Sequence, residues 1–114
     1  MLKVFGHISP DTDTTGSAIL WAWYLNTHTS HKATPFVLGT LNKETSFMLE
    51  KWGVPEPLLL ESVEASDEVI IVDTNNPQEL FDNICDTNII QIIDHHRLVG
   101  GLSTSGPIEM TLKS

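Results

Sequence analysis

Short apolar runs alternate with amphipathic stretches along the chain, the rhythm of an α/β fold. Leu2 to Gly6 reads as a short buried strand. Residues 13 to 26 read as a helix with Thr14 or Asp13 as N-cap and Ile19, Leu20, Trp23 and Tyr24 at apolar helical spacing. Thr34 to Leu38 is a second strand, in which Pro35 suggests an edge or a strand start. Asn42 to Trp52 reads as a second helix, with Asn42 as cap, Phe47, Met48, Leu49 and Trp52 on its inner face, and Gly53 at C′. Glu68 to Val72 is the clearest buried strand. Pro77 to Ile84 follows as a short helix with proline near its first turn, Ile89 to Ile93 as another buried strand, and Pro107 to Leu112 as a last extended piece. Trp21, Trp23 and Trp52 fit helix faces and are expected in the core.

This pattern has a spatial consequence. Three apolar strands run into polar clusters: the first into His7, Asp11 and Asp13, a later one into Asp73, the next into Asp94-His95-His96. Connections that carry a helix imply right-handed crossovers and parallel strands. In an open parallel sheet the carboxyl ends of the strands share one edge, where ligands bind. The three clusters are therefore expected to meet there, although they lie far apart in sequence.

Each cluster has an ordinary and a chemical reading. The segment His7-Ile8-Ser9-Pro10-Asp11-Thr12-Asp13 can be a capped helix start, or a loop whose alternating aspartates bind two neighbouring cations. Asp73 can serve a turn with Thr74-Asn75-Asn76-Pro77, or act as a ligand at the sheet edge. Asp94-His95-His96 is the strongest local signal, because adjacent histidines at a strand end diverge, leaving one for a metal and one for a substrate. Asp94 can orient an imidazole. His28 and His31 sit in a polar stretch and read as solvated. Cys85 has no basic neighbour to activate it.

Composition sharpens this reading. The 114 residues carry 6 Lys+Arg against 15 Asp+Glu, a net charge of −9, which excludes a simple cationic surface for nucleic acid or anionic membrane. A single cysteine excludes an intrachain disulfide and fits a reducing compartment. No apolar run approaches the roughly 20 residues of a membrane span, and the N-terminus turns polar too soon for a signal peptide. A cytoplasmic protein is expected, with no nucleic-acid or membrane partner. The candidate ligands are imidazoles and carboxylates without thiolate, a set suited to Mn²⁺, Fe²⁺, Co²⁺ or Mg²⁺. So many acids at one edge call for at least two cations.

His7-x-x-Pro10-Asp11-x-Asp13, an Asp after a hydrophobic strand (Asp73) and Asp94-His95-His96 resemble the DHH phosphoesterase superfamily. Phe5-Gly6-His7 with Pro10-Asp11-Thr12-Asp13, Leu38-Gly39 before Asn42-Lys43-Glu44-Thr45, and Asp94-His95-His96-Arg97 look more narrowly like family II, manganese-dependent inorganic pyrophosphatases. The resemblance implies a three-layer, mostly parallel sheet with helices on both faces. Residues 1–114 would be the N-terminal portion of a DHH metal-binding domain, without the C-terminal domain that closes over substrate.

The resemblance also implies a site. His7, Asp11 and Asp73 would hold one metal; Asp13, the shared Asp73 and His95 would hold the second. His96 would approach a phosphate oxygen and Asp94 would support the histidines, so that Asp73, Asp94 and His96 carry the catalytic roles. Two divalent ions, Mn²⁺ before Co²⁺ or Mg²⁺, and a hydroxide bridging them would hydrolyse pyrophosphate to two phosphates. The alternatives are another DHH phosphoesterase, acting on polyphosphate, oligonucleotides or a cyclic dinucleotide, or a metal-binding fragment without turnover. A homodimer is expected, since this family pairs through this domain. Thr74 stands where many members have His, and Ser9 where Asn is usual. A further aspartate that normally completes the second metal site is expected to be missing.

Overall fold

The computed structural model describes residues 1–97, 99–105 and the backbone of 108–110. Six strands, β1 (Leu2–Phe5), β2 (Ala33–Val37), β3 (Leu58–Leu59), β4 (Glu68–Val72), β5 (Asn88–Asp94) and β6 (Ile108–Met110), form one sheet in the order β3-β2-β1-β4-β5-β6. Every pairing is parallel, as the strand-to-helix alternation predicts. The strand order reverses between β1 and β4, and that switch point opens a crevice at the carboxyl edge.

Strand β4 shows why the sheet closes as it does. Val69, Ile70, Ile71 and Val72 are each at most 1% exposed, because both faces of the sheet are covered there. Burying each such side chain stabilises the fold by roughly 1.5–3 kcal/mol. On one face Ile70 and Val72 join Leu2, Val4 and Ala33 under helix α1 (Thr12–His28), whose Ala18, Ala22 and Leu25 pack downward. On the other face Phe5, Val69, Ile71, Ile89 and Ile92 pack under Val63, Leu80 and Ile84. Helix α2 (Lys43–Trp52) buries Thr45 and Leu49, and it ends as predicted: Asn42 accepts from the Thr45 N–H, and Gly53 takes the left-handed conformation at φ 68°.

Several local expectations are corrected. Helix α1 begins at Thr12 and its N-cap is Asp11, not Asp13 or Thr14. Its buried face is small, Thr14, Thr15, Ala18 and Ala22, which lets the helix lie close on the sheet; Leu20, Trp23 and Tyr24 face outward instead. Likewise Phe47 and Trp52 of α2 are exposed. Trp21 alone of the three tryptophans is half-buried, donating through Nε1 to Gln91 Oε1 at 3.1 Å. The helix expected over Pro77 to Ile84 is two short 3₁₀ turns, Pro77–Glu79 and Ile84–Asp86. The two-residue β3 carried too weak a pattern to be expected. Pro107, Thr111 and Leu112 of the last extended piece lie outside the described residues.

Strand β5 contains a bulge. Val69 pairs with Ile89, but Ile70 pairs with Gln91, so one residue of β5 is extra. Ile89 and Ile92 thereby reach one core while Ile90 and Ile93 pack against the other.

Candidate metal centre

The carboxyl edge is assembled from β1, α1, β4 and β5. Gly6, buried at the end of β1, permits the closest approach. A Cβ there would lie 2.3 Å from Thr14 Cγ2 and 2.9 Å from the Val72 carbonyl oxygen, so a side chain at position 6 would drive α1 away. With α1 seated, Asp11 accepts the Thr14 N–H through Oδ1 at 2.9 Å. Its Oδ2 remains 3.9 Å from His7 Nε2. Asp11 thus caps the helix through one oxygen while the other faces His7, so the two readings of the sequence are compatible.

Asp73 is the junction. It is 7% exposed and has φ 60°, the one positive φ outside glycine among the described residues. Aspartate tolerates this left-handed conformation better than most residues, and such strain persists where surrounding structure enforces it. Here its N–H donates to the Ile93 carbonyl at 2.9 Å. The carboxylate then faces two ways. Its Oδ1 lies 3.0 Å from His95 Nε2, and its Oδ2 lies 3.6 Å from His7 Nε2 and accepts from the Thr14 hydroxyl at 2.7 Å. Thr14 Oγ1 is also 2.6 Å from His7 Nε2. The Thr14 hydroxyl therefore joins His7 to Asp73.

Asp94 organises the second side. Its carboxylate is fully enclosed; Oδ1 accepts from the His95 N–H at 2.8 Å and from His96 Nδ1 at 2.6 Å, and Oδ2 accepts from Asn75 Nδ2 at 2.7 Å. The bond to Asp94 is the main cause that raises the His96 pKa above the ordinary 6.5; desolvation opposes it, and the negative charges of Asp94, Asp73 and Glu79 add to it. His95 and His96 diverge as expected: His95 meets Asp73, whereas His96 borders a polar cleft of about 360 Å³ with His7, Asn75, Glu79 and Arg97. A second, more apolar cleft of about 210 Å³ lies between α1 and the ends of β4 and β5, lined by Leu20, Trp21, Asp73 and His95 among others.

Two groups of candidate ligands follow from this geometry. His7, Asp11 and Asp73 form one, and Asp73, Asp94, His95 and His96 the other, with ligand atoms in each group within 4.8 Å of one another. Asp73 belongs to both. Asp13 belongs to neither: it is exposed in the first turn of α1, beside an acidic recess with Asp11, Thr12, Asn42 and Glu44. The donor chemistry fits hard or borderline divalent cations. Among the described residues the ion-pair partners of Asp73 and Asp94 are imidazoles alone, so the buried carboxylates have no Lys or Arg to satisfy them. His28 and His31 are exposed and away from both groups.

Two residues of this network escaped the sequence reading as parts of the site. Thr14 stands three residues after Asp11, a spacing that signals a cap but not a bridge to residue 73. Asn75 reads as turn chemistry, although its amide is buried.

Residues 2–113 match the model of the DHH family, N-terminal domain. A probable manganese-dependent inorganic pyrophosphatase of Oceanobacillus iheyensis is 44% identical over 105 residues, covering 92% of this chain and 33% of the relative. The manganese-dependent inorganic pyrophosphatase of Methanocaldococcus jannaschii is 43% identical over 108 residues, covering 95% and 32%. A crystal structure of a candidate family II inorganic pyrophosphatase from Methanococcus jannaschii superposes with a TM-score of 0.80 at 42% identity, over 96% of this chain and 33% of that one. The chain spans about a third of the length of the curated relatives it matches. Among the described residues no helix is long and apolar enough to cross a membrane.

Proposed function

The chain belongs to the DHH family, as its N-terminal domain, and from that premise we propose that it forms the metal-binding part of a manganese-dependent inorganic pyrophosphatase. The observation that carries this reading is the Asp73 carboxylate, which presents Oδ1 to His95 and Oδ2 to His7. His7, Asp11 and Asp73 would hold one divalent ion, and Asp73 with His95 the second; Asp13 would join the second site only by turning inward from its exposed position. Mn²⁺ is the first candidate, with Co²⁺ or Mg²⁺ able to use the same donors. When bound, the ions would neutralise phosphate charge and lower the pKa of water, supplying a nucleophile without a Ser or Cys side chain.

The protein's own residues do the rest. Asp73 fixes the two ligand groups side by side. Asp94 holds the His96 ring through Nδ1, which leaves its Nε2 to donate to a phosphate oxygen in the polar cleft. Arg97 borders the same cleft and offers a guanidinium to a polyanion. The substrate we propose is pyrophosphate, cleaved to two phosphates. We also place the protein in the cytoplasm, in keeping with its single cysteine, Cys85, which is free. A homodimer is proposed as well: β3 and β6 end the sheet, and Leu58 and Leu59 of β3 are exposed. Sedimentation at high concentration should then give the mass of two chains.

Calorimetric titration of the purified chain with Mn²⁺, followed by phosphate release from pyrophosphate, tests the reading. Two Mn²⁺ ions per chain are expected, with both lost in Asp73→Ala. Binding that is unchanged in that variant would overturn the site.

A further inference from the structure

The loop after β5 carries both adjacent imidazoles and Arg97, yet it is exposed: the side chains of His95 and His96 are 46% and 55% accessible. Apolar packing therefore does not explain why His95 Nε2 stays 3.0 Å from Asp73. The hydrogen bonds explain it. Asn75, only 3% exposed and two residues beyond Asp73, directs its whole side-chain amide at this loop. Its Nδ2 donates to Asp94 Oδ2 at 2.7 Å and to the Arg97 carbonyl at 3.0 Å, and its Oδ1 accepts from the Val99 N–H at 2.7 Å.

An amide is suited to this task because it supplies two donors and an acceptor from one planar group. Aspartate has nearly the same shape but no donor, and at position 75 it would face the enclosed Asp94 carboxylate across 2.7 Å. Alanine would strip partners from Asp94 Oδ2, the Arg97 carbonyl and the Val99 N–H together. The amide also fixes the division of labour within Asp94, since Oδ2 is taken by Asn75 and Oδ1 remains for His96.

We propose that Asn75 is a positioning residue: its buried amide ties the His95–His96–Arg97 loop to the end of β4 and so sets the second metal group, without touching the first. The inference rests on the proposed metal-binding reading for its effect on cation uptake, but the tie itself does not.

The test joins Mn²⁺ calorimetry with amide hydrogen exchange on the full chain, as wild type and as Asn75→Asp. In the wild type, the Val99 amide should exchange slowly although Val99 is exposed, and a freely exchanging Val99 amide would overturn the proposal before any variant is made. In Asn75→Asp, that amide should lose its protection while the amides of α1 keep theirs. The His95-dependent Mn²⁺ step should fall about 10–100-fold, the range for losing a residue that orients a ligand, and the His7-dependent step should stay within about twofold. A general loss of structure would weaken both steps together, so the split identifies positioning. Two Mn²⁺ steps that both keep their wild-type affinity in Asn75→Asp would overturn the proposal, as would an unchanged Val99 amide. A wild-type chain that takes up no Mn²⁺ would refute the metal reading, and the exchange rates would then decide the tie alone.

Discussion

The two halves of the candidate centre are built by different means. The His7 half stands on regular structure: β1 delivers His7, Asp11 caps α1, and Thr14 in the first turn of the helix joins His7 to Asp73. The His95 half stands on an exposed loop, held by the enclosed Asp94 and by Asn75. Asp73 is common to both. One half therefore inherits its precision from helix and strand packing, and the other depends on a few long-range hydrogen bonds. The lesson is that local disturbance should separate them, except at the shared carboxylate.

The largest effect is expected where separation is impossible. Asp73→Ala should lower both Mn²⁺ steps by about 100-fold or more, because losing a direct ligand exceeds the 10–100-fold typical of an orienting residue; one surviving step in the calorimetric trace would show that the halves do not share Asp73. Asp73→Gly should lose metal equally, yet its metal-free form should melt higher than that of Asp73→Ala. Glycine adopts φ 60° freely, whereas a non-glycine residue held there costs about 1 kcal/mol or more.

Next comes Gly6→Ala, which acts on the His7 half through sterics. Its Cβ would meet Thr14 Cγ2 and the Val72 carbonyl, and overpacking of this kind costs about 1–3 kcal/mol. Thermal unfolding should show that loss, and Mn²⁺ titration should show the His7-dependent step weakened more than the other. Equal weakening of both steps would deny that the halves are mechanically distinct. Thr14→Val keeps the shape and removes the hydroxyl shared by His7 and Asp73. It should weaken the same step by about tenfold, the lower end for an orienting partner.

The smallest effect lies outside both halves and serves as a control. At the opposite end of the sheet, Asp67 accepts from Lys3 Nζ at 3.0 Å and from the Glu64 N–H at 2.9 Å. Its pKa is lowered from the ordinary 3.8, first by the Glu64 N–H and then by Lys3. A lowered carboxylate pKa stabilises the fold above the unfolded value and loses that contribution as pH falls through the folded one. Asp67→Asn should therefore lower stability slightly at neutral pH. The difference from wild type should shrink in melts recorded below pH 3.8, and Mn²⁺ binding should not change.

The same contrast explains what the sequence disclosed. Buried parallel strands announce themselves by unbroken β-branched runs, so β4, β5 and the aspartates at their ends were legible, as was the meeting of His7, Asp73 and His95. The caps of α2 were legible because Asn42 and Gly53 act locally. The outward face of α1 was not, because Trp23 and Tyr24 have helical spacing whichever side they take, and the close fit of Ala18 and Ala22 to the sheet is a tertiary fact. Asn75 and Thr14 were missed as site residues for a related reason: the partners of Asn75 lie 19 to 24 residues away, and Thr14 reaches Asp73 across 59. Asp13 shows the converse, since a sequence pattern nominates it and the geometry leaves it at the surface.

The bulge in β5 has a consequence of parity. Side chains on a strand alternate sides, so the supernumerary residue near Ile90 and Gln91 decides which way everything after it points. Deleting one codon there would leave a sequence that still looks like a good strand. It would nonetheless turn Asp94 away from Asn75 and carry the paired imidazoles to the wrong side of the sheet. Length at this place is as much a part of the chemistry as any ligand.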